Sequence, residues 1–158
     1  MHFAIRSSKR MCGALFVVAL LVLARSTTRA QQFTPSPTPQ VGKALVYVYR
    51  EASFVGKAGW SRIFVNADFL ASLHSGDYAA REVPEGTVVF MTVPRGIPIT
   101  AVLAFDDMVK KRHERLRINV EAGKTYYVRW FVGDKVKLVD EATGEREISK
   151  THLAKDEN

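Results

Sequence analysis

Residues 110–117 read Lys110-Lys111-Arg112-His113-Glu114-Arg115-Leu116-Arg117 and form the densest run of titratable chemistry in the chain. Seven of the eight are charged or titratable, and five of those (Lys110, Lys111, Arg112, Arg115 and Arg117) are basic. Such a run can meet phosphate on a lipid headgroup, on lipopolysaccharide or on another envelope polyanion. It also reads as a solvated loop leading into a strand whose outward face is Arg115 and Arg117. The histidines at 2, 74, 113 and 152 have no metal-ligand spacing to one another or to a cysteine. His74 and Asp77 have the types of a base and its orienting acid, but their surroundings favour a polar turn. No serine sits in a nucleophile-elbow glycine pattern, and no Gly-rich loop precedes a helix to cradle phosphate. Two distant carboxylates can converge in any fold, so a hydrolytic or carbohydrate-active enzyme with a dispersed carboxylate pair stands as the alternative. No cofactor site is expected.

Aromatic residues supply a second possible chemistry. Tyr126, Tyr127, Trp130 and Phe131 crowd one strand, and Tyr47 and Tyr49 crowd another. Alternation turns some of these rings outward. They can bind sugar rings or peptide there, or cover a second face of the sheet, which is the favoured reading. Trp60, in a Gly-rich loop, is the ring most expected to be exposed.

The elements that position these groups begin only after a leader. Arg6, Lys9 and Arg10 precede an apolar run at 11–24, and small and polar residues follow up to Thr28-Arg29-Ala30. That order is a secretory signal peptide, with cleavage expected between Ala30 and Gln31, or alternatively after Ala24. The run of 14 residues is shorter than the roughly 20 that a membrane-spanning helix needs. No stable transmembrane span is therefore expected after cleavage; an uncleaved signal anchor is the competing outcome. Residues 1–30 hold five basic and no acidic side chains, leaving 18 basic against 16 acidic in the mature chain, a net charge of +2. The whole-chain charge of +7 thus owes most to the leader, and nucleic acid is not an expected partner. Cys12, the only cysteine, lies in the leader, so no disulfide or thiolate site survives cleavage. The mature 128 residues suffice for one core.

Residues 31–41 begin QQFTPSPTPQ, a Pro/Thr-rich tether without apolar periodicity. From 44 onward the pattern is strand after strand. Segments 44–50, 62–65, 69–73, 78–83, 87–93, 116–120, 125–132 and 136–139 combine β-branched and aromatic residues and are bounded by Gly, Pro, Asn or Asp turns. Residues 97–105 are compatible with a further strand whose start lies at an edge or bulge because of Pro98. Residues 106–114 read as polar. The tail from 141 is either a last edge strand or a short helix. Regularly spaced short strands favour a small antiparallel β-sandwich, Ig-like or prealbumin-like, in an all-β class.

Several strand and turn signatures carry a family likeness. They are Ala44-Leu45-Val46-Tyr47-Val48-Tyr49-Arg50, Ile63-Phe64-Val65-Asn66 with Leu73 and Gly76-Asp77-Tyr78, Val83-Pro84-Glu85-Gly86, Ala122-Gly123-Lys124-Thr125-Tyr126-Tyr127-Val128, and Leu138-Val139-Asp140-Glu141. Together they resemble DUF2846, a bacterial envelope domain of unknown function, over about residues 42–148. The resemblance implies a small periplasmic or lipoprotein β-sandwich and brings no reaction with it. The chain departs from lipoprotein members in lacking the anchoring cysteine, and Glu85 separates Pro84 from Gly86 where the family commonly has them adjacent. The organisation expected is a signal peptide at 1–30, a linker at 31–41, the β-sandwich at 42–150 and a polar tail at 151–158. The expected role is a periplasmic or secreted, non-enzymatic binding or structural module of the cell envelope. Its partner is an envelope protein, a glycan or an anionic surface.

Overall fold

The computed structural model describes residue 33 and residues 38–55, 57–94, 96–102 and 104–155. The leader and its expected cleavage site at Ala30 and Gln31 lie outside the described residues. Among the described residues nine strands form two sheets. One sheet has the order β8-β7-β1-β4-β9 and the other β3-β2-β5-β6. In chain order these are β1 (Lys43–Tyr49), β2 (Ser61–Val65), β3 (Asp68–Leu73), β4 (Asp77–Pro84), β5 (Gly86–Thr92), β6 (Glu114–Val120), β7 (Thr125–Trp130), β8 (Val136–Val139) and β9 (His152–Leu153). An all-β sandwich is therefore what the chain forms. The five-stranded sheet is mixed rather than antiparallel, since β1 pairs in parallel with β7 and β4 with β9.

Strand alternation explains three apolar layers. The residues of β1 that face the second sheet, Ala44, Val46 and Val48, meet Ile63, Val65, Leu73, Phe90, Val128 and Trp130 in the central core. The other face of β1 presents Leu45, Tyr47 and Tyr49, all buried, beside Tyr78 and Tyr127. Helix α3 (Glu141–Ile148) covers this face with Ile148, and the Phe33 ring sits edge-on to Tyr47 and Tyr78 at centroid distances of 5.3 and 5.2 Å. The aromatic row thus serves as a second core and not as an open sugar platform. At Gly144 of this helix an added Cβ would lie 2.2 Å from Cγ of Tyr127, so glycine there is set by the ring beneath it.

The third layer lies on the outer face of the four-stranded sheet. Phe64, Met91, Val93 and Val102 are buried there with Ile97 and Phe105 packed against them. The described residues of 97–105 do not continue the sheet. Pro98 cannot donate to a ladder, and its carbonyl instead accepts from Ala101 N–H at 3.0 Å, opening the single helical turn α1 (Ile99–Val102). The polar stretch that follows is also helical, α2 (Asp107–His113), because Asp106 caps it by accepting from Val109 N–H at 2.8 Å. The start of the expected polar tail joins the sheet: Thr151 is buried, and His152 and Leu153 pair with Asp77 and Tyr78.

Candidate functional site

The basic run begins on α2 and continues down β6. Lys110, Lys111, Arg112 and His113 occupy the last turn of the helix, where cations complement the carbonyl end of the dipole. Glu114 closes the helix, its N–H donating to the carbonyls of Lys110 and Lys111. The Glu114 carboxylate then receives both arms of Arg117, from Nε at 3.0 Å and Nη2 at 2.6 Å. This fork holds the Glu114 carboxyl below the usual carboxylate range. Arg115 Nη1 donates to the carbonyls of Arg112 and Glu114, both at 3.2 Å.

A groove of about 330 Å³ runs beside this segment. Val89 and Met91 of β5 and Ala67 give it an apolar floor, and Asp107, Lys110, Lys111, Glu114 and Arg117 give it a charged wall. One end is fixed by the turn between β2 and β3, where Asn66 and Ala67 have φ of 52° and 70°. Asn66 clamps that turn to β5, its N–H donating to Val89 O and its Oδ1 accepting from Val89 N–H, each at 2.9 Å. Glu114 is neutralised by Arg117, and among the described residues neither Lys110 nor Lys111 is committed to an ion pair. The two lysines therefore face a groove with an apolar base, an arrangement suited to an anionic group carrying apolar substituents.

The fold spreads the predicted basic residues over neighbouring depressions. Lys110, Lys111 and Arg117 line the groove; Arg115 lies with His113 on a second cavity, also about 330 Å³, which contains Trp60, Ser61, Arg62 and Asp134, and with Lys111 and Arg117 on an open depression of about 700 Å³. Arg112 lines none of the three. Trp60 is half-buried rather than fully exposed, its ring 5.9 Å from that of His74. Arg62 holds the approach to α1 by donating Nη1 to the carbonyls of Pro94 and Ile97, at 3.2 and 2.7 Å.

His74 and Asp77 do not form a side-chain dyad. Asp77 accepts the backbone N–H of His74 at 2.9 Å, and its other oxygen meets His152 Nε2 at 3.0 Å. His152 comes from β9, so sequence neighbours gave no sign of it. A carboxylate pair does converge, between Glu51 and Glu147, and Arg129 bridges it. Arg129 Nη1 donates to Glu147 Oε1 at 2.9 Å, and Nη2 contacts Glu51. Tyr49 donates its hydroxyl to Glu147 Oε2 at 2.6 Å. Burial and that hydrogen bond push the Tyr49 phenol well above its ordinary value. Both carboxylates thus share one guanidinium, and the arrangement ties α3 to β7 and to the segment that follows β1. The pair was invisible in the sequence because 51, 129 and 147 meet only when β1, β7 and α3 are assembled.

Among the described residues no group of three or more His, Cys, Asp or Glu side chains could hold a metal ion, and no helix is long and apolar enough to cross a membrane. A family model described as "Protein of unknown function (DUF2846)" matches residues 40–144. No curated protein and no solved structure matches the chain.

Proposed function

From the premise that the chain belongs to the DUF2846 family, we propose that it is an exported, non-catalytic module of the cell envelope that docks onto an anionic surface through the groove beside α2. The observation that carries this reading is the convergence of Lys110, Lys111 and Arg117 on an apolar-floored groove whose carboxylates are Asp107 and Glu114, the latter already matched by Arg117. The basic–apolar–cleavage order of residues 1–30 supports export, into the periplasm or beyond the cell. Without residues 1–30 the chain carries only +2, which supports an attraction held in this local patch and not spread over the chain. Against a hydrolase stands the sharing of Arg129 by Glu51 and Glu147.

Co-sedimentation with vesicles of equimolar phosphatidylglycerol and phosphatidylcholine tests the reading. A lysine at an anionic surface contributes about 1 kcal/mol. Lys110→Gln with Lys111→Gln should therefore weaken binding by about thirtyfold, and added salt should weaken the wild type in the same direction. Equal binding by the double variant and the wild type refutes the groove as the contact.

A further inference from the structure

One end of the sandwich gathers the loops that leave Tyr49 of β1 and Trp130 of β7, which run parallel, and those that enter β4 at Asp77. In the other sheet Ser61 and Leu73 stand opposite each other at that end, while Glu114, the start of β6, pairs with Met91 and so lies level with Phe64, three residues farther along β2. Ser61 Oγ donates to Asp134 Oδ1 at 2.7 Å and joins the two sheets there. The described residues of the loop that follows β1 are braced at this end. Arg50 Nη1 donates to Gly59 O at 2.6 Å. Ser53 N–H donates to Ser75 Oγ at 2.8 Å, and Ser75 Oγ donates back to Ser53 O at 3.2 Å. Beyond these braces come Phe54 and Val55, 94% and 72% exposed. Val132, 48% exposed on the turn between β7 and β8, lines a common cavity with Ala52 and Ser53.

We propose that this end is a bilayer-insertion edge, with Phe54 and Val55 as apolar prongs that enter the hydrocarbon boundary of a membrane carrying anionic headgroups. Two observations favour a bilayer over a protein partner. Phe54 and Val55 are adjacent in one loop and Val132 lies in another, whereas a stable protein interface needs about 800 Å² from each side. The exposed Lys57 and Lys135 follow Val55 and Val132 closely in the chain, as cations flank apolar residues at a headgroup boundary. The inference rests on the anionic-surface reading above. Burying one such side chain strengthens partitioning by about tenfold to a hundredfold.

The test pairs Phe54→Ser with Val55→Ser, and separately makes Phe54→Trp. Both positions are exposed, so circular dichroism melts should match the wild type. The double variant should partition at least about tenfold more weakly into equimolar phosphatidylglycerol–phosphatidylcholine vesicles, with its remaining binding abolished by salt. The Trp at 54 should shift its emission to the blue and be quenched by acyl-chain-brominated lipid. Unchanged partitioning of the double variant, or an unquenched Trp at 54 on bound protein, overturns the insertion edge while leaving the groove reading in place. Loss in the serine variant with none in Lys110→Gln, Lys111→Gln upholds insertion and removes the groove. A wild type that ignores these vesicles removes both.

Discussion

Replacing Glu147 should test whether the network under α3 is structural. Glu147 is 8% exposed and accepts from two donors, the Tyr49 hydroxyl at 2.6 Å and Arg129 Nη1 at 2.9 Å. Glu147→Ala strands both in a poorly solvated place. Removing one partner of a buried ion pair costs 3–5 kcal/mol. Arg129 keeps Glu51, and its side chain is 27% exposed, so the lower bound of about 3 kcal/mol applies. Tyr49→Phe instead deletes the donor and leaves Glu147 matched by Arg129, for about 1.5 kcal/mol. The double variant should cost less than the sum by about 1 kcal/mol, because the stranded hydroxyl that makes Glu147→Ala expensive is no longer present. With a slope near 2 kcal/mol per molar urea, the single Glu147→Ala change lowers the unfolding midpoint by about 1.5 M at neutral pH. A shift under about 0.5 M, or strict additivity in the cycle, refutes the reasoning and returns Glu147 to the list of groups free for chemistry.

Gly144→Ala should destabilise, against the gain of about 1 kcal/mol that alanine normally brings to a helix interior. The new methyl would sit 2.2 Å from the Tyr127 ring, and overpacking of 1–3 kcal/mol outweighs propensity, which a lower melting temperature would register. A raised melting temperature refutes the close packing of α3 on β7. Alkaline pH should also loosen the outer aromatic layer. Burial raises the phenols of Tyr49 and Tyr78 and pushes Tyr127 up to about 12. The unfolded chain releases these protons near pH 10 while the folded chain keeps them, so stability is whole below about pH 10 and falls as pH rises beyond it. Urea midpoints taken on either side of pH 10 should show the fall, shallower in Tyr49→Phe; a flat profile would contradict the burial argument.

Much of the fold was legible before assembly. The eight expected strands recur with ends moved by a residue or two, because β-branched and aromatic runs between Gly, Pro and Asn/Asp turns are local signals. The helix at 107–113 carried a local signal as well, an Asp cap followed by basic residues in the last turn, which the density of charge obscured. The turn at 99–102 was harder. Ile97, Val102 and Phe105 are apolar enough for a strand, and only the outer face of the four-stranded sheet beneath them makes a covering loop the better use of that surface.

The sequence by itself determined an all-β sandwich, its family and the place of the basic run, since each rests on residues adjacent in the chain. Tertiary structure alone decided which of those residues act together. It paired β1 with β7 in parallel across some eighty intervening residues, brought His152 to Asp77 and Arg129 to Glu51 and Glu147, and buried the tyrosines that alternation had left without a stated side. It also spread one run of cations over a groove, a second cavity and an open depression that Lys111, Arg115 and Arg117 share. The physical reason is range. Turn chemistry and strand preference act over a few residues, whereas burial, ion pairing and exposure depend on what the completed sheets place opposite each side chain.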